Sequence, residues 1–231
     1  RLHGAGRVLR YLVKRIKIMN NLSLSRGHLP GILAMAAIVV ASNILVQFLI
    51  LDGLLTWGAF TYPLAFLVTD VMNRVYGVSA ARRVVFAGFI MGIICSLIGS
   101  QIILEYGPAV PLRVAIGSGT AFLIAQLTDV GIFNRFRSGT WWRAPLISTL
   151  VGSALDTALF FTIAFSATVA IFGADADAAI SWAWEAVPFM NVGAMAPLWV
   201  TLAFADWLVK LTLALIALVP FRMITARLSG A

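Results

Sequence analysis

Apolar residues run through this chain in long blocks, not at alternate positions and not in single helical stripes. Six blocks reach the about 20 mostly apolar residues that a membrane-spanning helix needs. They are 31–50, 54–72, 84–104, 114–133, 145–172 and 197–219. The third, VVFAGFIMGIICSLIGSQIIL, carries no charge, and neither does the first. None alternates as a barrel strand does, and each is too long to be one. The pattern predicts an all-α membrane protein, a bundle of six transmembrane helices. It divides the chain into a basic segment at 1–29, a helical domain at 30–222 and a tail at 223–231.

Composition agrees. Residues AVILMFWYC make up 61% of the chain and charged residues 11%, whereas a soluble domain carries about 25% charged residues to wet its surface. A typical soluble enzyme, a disordered tail and a disulfide scaffold are excluded. Cys95 is the single cysteine and sits in an apolar run, so it reads as a small hydrophobe. The net charge of +8 would suggest nucleic acid in a soluble protein. Here its distribution argues otherwise.

If six helices zigzag through a bilayer, fifteen of the seventeen cationic residues fall on one side. They lie before the first block, around Arg74, Arg82 and Arg83, around Arg135, Arg137 and Arg143, and at Arg222 and Arg227. The other side holds Arg113 with Asp52, Glu105, Asp175, Asp177 and Glu185. By the positive-inside rule this is an N-in, C-in topology, and the charge is a topology signal with no nucleic-acid partner implied. The lipid bilayer is the expected partner. Residues 1–20 alternate apolar and basic, which suits an amphipathic helix on the inner leaflet; a natural start at Met19 is the alternative reading. Gly88, Gly92, Ser96 and Ser100 form a stripe of small residues, predicted to allow close helix contact within the bundle or between protomers of a homo-oligomer.

Ionised groups inside a bilayer cost several kcal/mol unless they find a partner or a cavity. Asp70, Asp129, Asp156, Asp206 and Lys210 lie inside the blocks or at their edges. Asp70 with Arg74 and Asp206 with Lys210 are spaced as i,i+4 ion pairs in the favourable order. Asp129 and Asp156 have no base at helical spacing. Asp156 lies about 18 Å along its helix, near mid-bilayer. It must be protonated, paired across helices with Lys210 as the nearest base, or exposed to a water-filled cavity.

Other polar groups lie at similar depths. Asn43 and Gln47 are four apart. Gln126-x-x-Asp129 is followed by Phe133, and Ser153-x-x-Asp156 by Phe160. TDVMNR at 69–74 echoes TDVGIFNR at 128–135, a hint of internal duplication. Pro63 interrupts the second block, where a kink serves either a cavity or packing. A carboxylate accepts two parallel hydrogen bonds and so clamps a planar N–H and NH2 pair. Amides add donor and acceptor, and aromatic rings stack on flat heterocycles. The set suits a guanine-like base. The two histidines, His3 and His28, sit in the N-terminal segment and no metal-ligand cluster exists. No nucleophile triad, HExxH or Walker loop occurs, so no enzyme activity, metal or cofactor is expected.

Longer stretches resemble the queuosine-precursor transporter family, also called the vitamin uptake transporter family. They are SNILVQ at 42–47, TWGAFTYPLAFLVTD at 56–70, YG and AARR within 76–83, AQLTDVGIFNRFR at 125–137, APLISTLVGSALDTALFFTIAF at 144–165, and DWLVK to VPF at 206–221. The resemblance implies a six-helix importer in a bacterial inner membrane, carrying a 7-deazaguanine, either 7-cyano-7-deazaguanine or the aminomethyl form, by secondary or facilitated transport. An alternative is the substrate-binding membrane subunit of an energy-coupling ATPase-driven transporter. Matching polar positions are Asn43, Pro63, Asp70, Gln126, Asp129, Asp156 and Lys210; Gln47, Phe133, Ser153 and Phe160 complete the expected substrate-binding set. Two positions depart from the family pattern. Many members carry Glu where this chain has Arg74, and an amide where it has Ser153. On sequence grounds, Asp156→Ala impairs uptake more than Asp206→Ala at equal membrane abundance, because only Asp206 has a same-helix partner. Uptake by the Asp156 variant equal to that of the parent would refute this ranking.

Overall fold

A computed structural model describes residues 27–105, 107–169 and 172–228. The basic stretch before residue 27, with its expected amphipathic helix, lies outside the described residues. The chain is built from helices α1 (Leu29–Leu45), α2 (Gly58–Thr61), α3 (Leu64–Tyr76), α4 (Val78–Gln101), α5 (Leu112–Phe136), α6 (Arg143–Phe165), α7 (Ala174–Ala178) and α8 (Leu198–Leu228). Among the described residues, α4, α5, α6 and α8 are long and apolar enough to cross a membrane, and α1 is a shorter apolar helix. The chain is therefore a multi-span helical membrane protein.

The second apolar block is the one that does not form a single helix. Residues 49–56 fold into a hairpin, β1 (Leu49–Ile50) with β2 (Leu55–Thr56). The remainder breaks at Pro63 into α2 and α3. Proline has no N–H to donate, so the backbone continues with short bonds, from Ala65 N to Tyr62 O at 3.0 Å and from Phe66 N to Pro63 O at 3.1 Å. The fifth block also ends early. Helix α6 stops at Phe165, and Ser166 adopts an extended conformation. There the buried Arg113 guanidinium donates to the Ile163 and Ser166 carbonyls and pairs with Asp177. This arginine satisfies the carbonyls that a helix end leaves free.

Two more hairpins, β3 (Ile103–Leu104) with β4 (Gly107–Pro108) and β5 (Ala186–Pro188) with β6 (Met195–Pro197), occupy the other long connections. All three lie at the same end of the bundle. The opposite connections are tight: Gly77, at φ +86, turns α3 directly into α4, and residues 137–142 join α5 to α6.

The bundle is apolar outside and polar within. Ile90, Leu97 and Ile98 of α4 and Leu215, Ile216 and Val219 of α8 are exposed. Thr69, Asn73, Arg113, Asp129, Ser148 and Ser153 are fully buried. In water this would be unstable. In hydrocarbon there is no hydrophobic drive between helices, and they associate through close packing and interhelical hydrogen bonds. Helices α5 and α6 form the most extensive pair. Small residues allow it: a Cβ on Gly117 would lie 3.2 Å from the Ala164 backbone nitrogen, and one on Gly152 would lie 3.3 Å from Asp129 Cβ.

This packing makes a paired prediction. Gly117→Ala presses on backbone and destabilises the folded protein by about 1–3 kcal/mol. Gly131→Ala on the same helix meets nothing within 4 Å and gains up to about 1 kcal/mol of helix propensity. Thermal unfolding of the two variants in detergent checks the opposite signs.

Candidate substrate site within the bundle

Two polar assemblies occupy the interior. The first joins α3, α5 and α6. Thr69 and Asn73 stand one turn apart on α3, facing Gln126 and Val130, one turn apart on α5. Thr69 Oγ1 donates to Gln126 Oε1 at 2.7 Å, and Asn73 Nδ2 donates to the Val130 carbonyl at 3.1 Å. On the adjoining face Asp70 accepts from Ser148 Oγ at 3.3 Å and from Thr149 Oγ1 at 3.2 Å. The Asp129 carboxyl lies in interaction range of both Asp70 and Ser148. Gly152 lets Asp129 approach α6 so closely.

This layer is incompletely satisfied. Among the described residues, Asn73 Oδ1, Gln126 Nε2 and both carboxylate oxygens of Asp129 are buried without a hydrogen-bond partner. Such groups cost about 1–3 kcal/mol each, more when charged. Beside Asp70 and Thr149, a cavity of ≈ 10 Å³ is lined also by Pro63, Phe66 and Phe221. A void of that size holds about one water, so the bundle is closed around Asp70.

The second assembly ties α6 to α8. Lys210 Nζ lies 2.7 Å from Asp156 Oδ2, 2.6 Å from Asp206 Oδ2 and 3.0 Å from Thr157 Oγ1. Thr157 Oγ1 in turn donates to Asp206 at 3.0 Å. The Tyr62 ring faces the ammonium with its centroid 5.8 Å away. Asp156 is therefore paired across helices. The ranking of Asp156 above Asp206 loses its ground, since both acids share one lysine.

The expected Asp70–Arg74 ion pair does not form among the described residues. Arg74 instead reaches past the end of α5. Its Nη1 donates to the Arg137 carbonyl at 2.7 Å, and Arg137 Nη2 returns a bond to the Arg74 carbonyl at 2.8 Å. The Arg74 guanidinium also lies over Phe133, 5.1 Å from the ring centroid, and Phe133 meets Phe221 edge-on. An i,i+4 spacing permits a pair but does not oblige one. At a helix terminus, free carbonyls compete for the guanidinium, and Asp70 is already held by two hydroxyls.

The structure thus brings Asp70, Gln126 and Asp129 into one layer, places Pro63 beside it, and joins Asp156 to Lys210 in the other. The Ser153 hydroxyl turns back to its own helix at Leu150 O. Phe160 packs with Phe161 and Phe165. Gln47 reaches the Ala109 carbonyl in a loop at 3.3 Å, and Asn43 bonds to Val39 O. Thr69, Asn73, Ser148, Thr149, Thr157 and Tyr62 were absent from the expected set. One signal for the layer was in the sequence. Thr69-Asp70-Val71 and Thr128-Asp129-Val130 are the same tripeptide, and the fold sets their aspartates side by side on neighbouring helices.

A membrane-spanning bundle with a polar, partly unpartnered interior is the architecture of a membrane transport protein. The model of a family described as "putative vitamin uptake transporter" matches residues 56–225, and the chain belongs to that family. It is 39% identical over 141 residues to the "Queuosine precursor transporter" of Escherichia coli (strain K12), covering 55% of this chain and 64% of the relative. It is 35% identical over 176 residues to the "Probable queuosine precursor transporter" of Haemophilus influenzae, covering 71% and 66%. A similarly named Bacillus subtilis protein is 31% identical over 130 residues, covering 48% and 56%. The chain thus spans less than two thirds of the length of each of these relatives. No solved structure matches. The relatives are named as transporters.

The ionic assembly supports a stability prediction. Lys210→Met leaves the buried Asp156 and half-buried Asp206 carboxylates without their cation and destabilises the protein by about 3–5 kcal/mol. Adding Asp156→Asn and Asp206→Asn removes the stranded charges and recovers most of that loss. Thermal unfolding of the single and triple variants reads the difference.

Proposed function

We propose that this protein imports queuosine precursors, the bases 7-cyano-7-deazaguanine and 7-aminomethyl-7-deazaguanine, across a bacterial inner membrane. In this reading six helical segments span the bilayer, with α2 and α3 counted as one broken span and both termini cytoplasmic. The hairpin end faces out. The basic, tightly turned end faces in.

The observation that carries the reading is the unpartnered set in the α3–α5–α6 layer: three acceptor atoms, on Asp129 and Asn73, and one donor, on Gln126. A deazaguanine ring presents the complementary chemistry. Its lactam N–H and exocyclic amino group suit a carboxylate, and its carbonyl oxygen suits an amide N–H. Buried groups that lack partners in one conformation acquire them when the cargo is bound, so cargo binding is favoured there. The names of the relatives support the same cargo. No phosphate-bearing cargo fits as well, because the unpartnered atoms of the layer are mostly acceptors. Transport is secondary or facilitated. The capture-subunit alternative has no observation in its favour.

The test uses cells that cannot make the precursor but can process it, supplied with limiting external nitrile base. Queuosine in tRNA rises when this chain is expressed. Equal queuosine with and without it would overturn the proposal. Asp129→Asn and Gln126→Leu each lower uptake at least tenfold at equal membrane abundance, in line with the about 1.5–3 kcal/mol of a hydrogen bond to a charged group.

A further inference from the structure

A second, larger cavity lies toward the hairpin end, between α1, α4 and α5. Its volume is ≈ 370 Å³, within the about 300–1,000 Å³ of small-molecule sites. It is distinct from the layer around Asp129. Val39 and Phe89 supply apolar walls and the exposed Leu97 and Ile116 a rim, while Asn43, Tyr62, Ser96, Ser118 and Thr120 supply polar groups.

Those polar groups have unused capacity. The hydroxyls of Tyr62, Ser96, Ser118 and Thr120 make no hydrogen bond among the described residues. Asn43 spends one amide N–H on Val39 O at 2.9 Å, and its carbonyl oxygen has no partner among them. A serine or threonine in an apolar helix ordinarily bonds back to a carbonyl one turn earlier, as Thr212 does to Leu208 O at 2.9 Å. Five polar side chains that converge on one hollow with spare bonding capacity call for a polar occupant. An acyl chain from the bilayer satisfies none of them.

The cavity also leads inward. Phe122 lines it and stands one turn from Gln126 on α5, about 6 Å along the axis. Tyr62 lines it, packs edge-on against Phe122 with ring centroids 6.0 Å apart, and faces Lys210. Tyr62 is also the residue before Pro63, where the helix breaks. The two rings thus stand where the hollow ends and the polar interior begins.

We propose that this cavity is a vestibular binding site for a small planar heteroaromatic base, occupied before the base reaches the Asp129 layer. The inference rests on the transport reading above for its cargo. Flat rings suit the Tyr62–Phe122 wall. The hydroxyls and the Asn43 carbonyl suit ring N–H groups, exocyclic amines and carbonyls.

The test follows cysteine protection in nanodiscs of the full chain carrying Cys95→Ala. Ser118→Cys and, as a second variant should the first fold poorly, Thr120→Cys place a thiol in the cavity. Asp52→Cys places one at a hairpin tip. A water-soluble maleimide is applied with and without 7-cyano-7-deazaguanine. The expected result is that the base slows labelling of the cavity thiol at least fivefold and leaves the Asp52→Cys thiol unchanged. Unprotected cavity thiols in nanodiscs that bind the base would overturn this inference and leave the transport reading standing. Labelling by a membrane-soluble maleimide alone would overturn it in favour of a lipid-filled groove. Failure of the parent nanodiscs to bind the base would overturn both readings together.

Discussion

Lys210 is the interaction on which the arrangement of the interior depends. Its ammonium holds Asp156 of α6 and Asp206 of α8 within 2.7 Å, and Thr157 bridges to both members of the α8 pair. In a low dielectric, two carboxylates this close repel strongly, and one lysine turns that repulsion into a clamp. Only one helix register brings the three together. The attraction therefore sets how α8 sits on α6, which in turn sets how Phe221, Leu213 and Ala214 of α8 close over Asp70 and Thr149.

The two polar assemblies differ in satisfaction, not in composition. The α6–α8 assembly pairs its charges: each carboxylate meets Lys210, and Thr157 completes the set. The α3–α5–α6 layer leaves Asp129, Asn73 and Gln126 with unpaired atoms at full burial. A satisfied network rigidifies, and a partly satisfied one is a source of free energy for whatever completes it. This contrast separates a satisfied clamp from an unsatisfied layer, although both looked alike as lists of intramembrane acids.

Much of the fold was legible because hydrocarbon makes a strong demand on sequence. A helix that meets lipid must be apolar along its length, so α4, α5, α6 and α8 announce themselves as unbroken blocks. What was not legible lies where the demand weakens. The second block is mostly apolar, yet its first residues form a hairpin and Pro63 splits the rest, because hydropathy measures burial in lipid and not backbone geometry. The fifth block overran because Ser166 onward is apolar enough to span, and the residue that ends the helix, Arg113, lies fifty positions away in sequence. Within the site, charges were easy to find by their cost. Thr69, Asn73, Ser148 and Thr149 were not, since a hydroxyl or amide in a membrane helix often bonds to its own backbone, and only tertiary structure shows that these cross between helices. Arg74 shows the converse limit: its spacing to Asp70 was right, but a helix terminus offered carbonyls that sequence spacing does not weigh.

The stripe of Gly88, Gly92, Ser96 and Ser100 draws these strands together. Small residues in a membrane helix usually bring a neighbour close, and Gly88 does so, since a Cβ there would lie 2.7 Å from Met35 and 2.9 Å from Phe122. One turn on, a Cβ on Gly92 would lie 3.8 Å from Val39, and by Ser96 the facing helices have parted around a hollow. The same sequence feature thus closes the bundle at one level and opens it at the next. What decides between them is the size of the residue opposite. Met35 and Phe122 fill the space that Gly88 leaves, and above them Asn43, Ser118 and Gly119 are too small to do so. A transport protein needs both behaviours along one path, a tight level that seals and a roomy one that receives. Here a single face of α4 contributes to each.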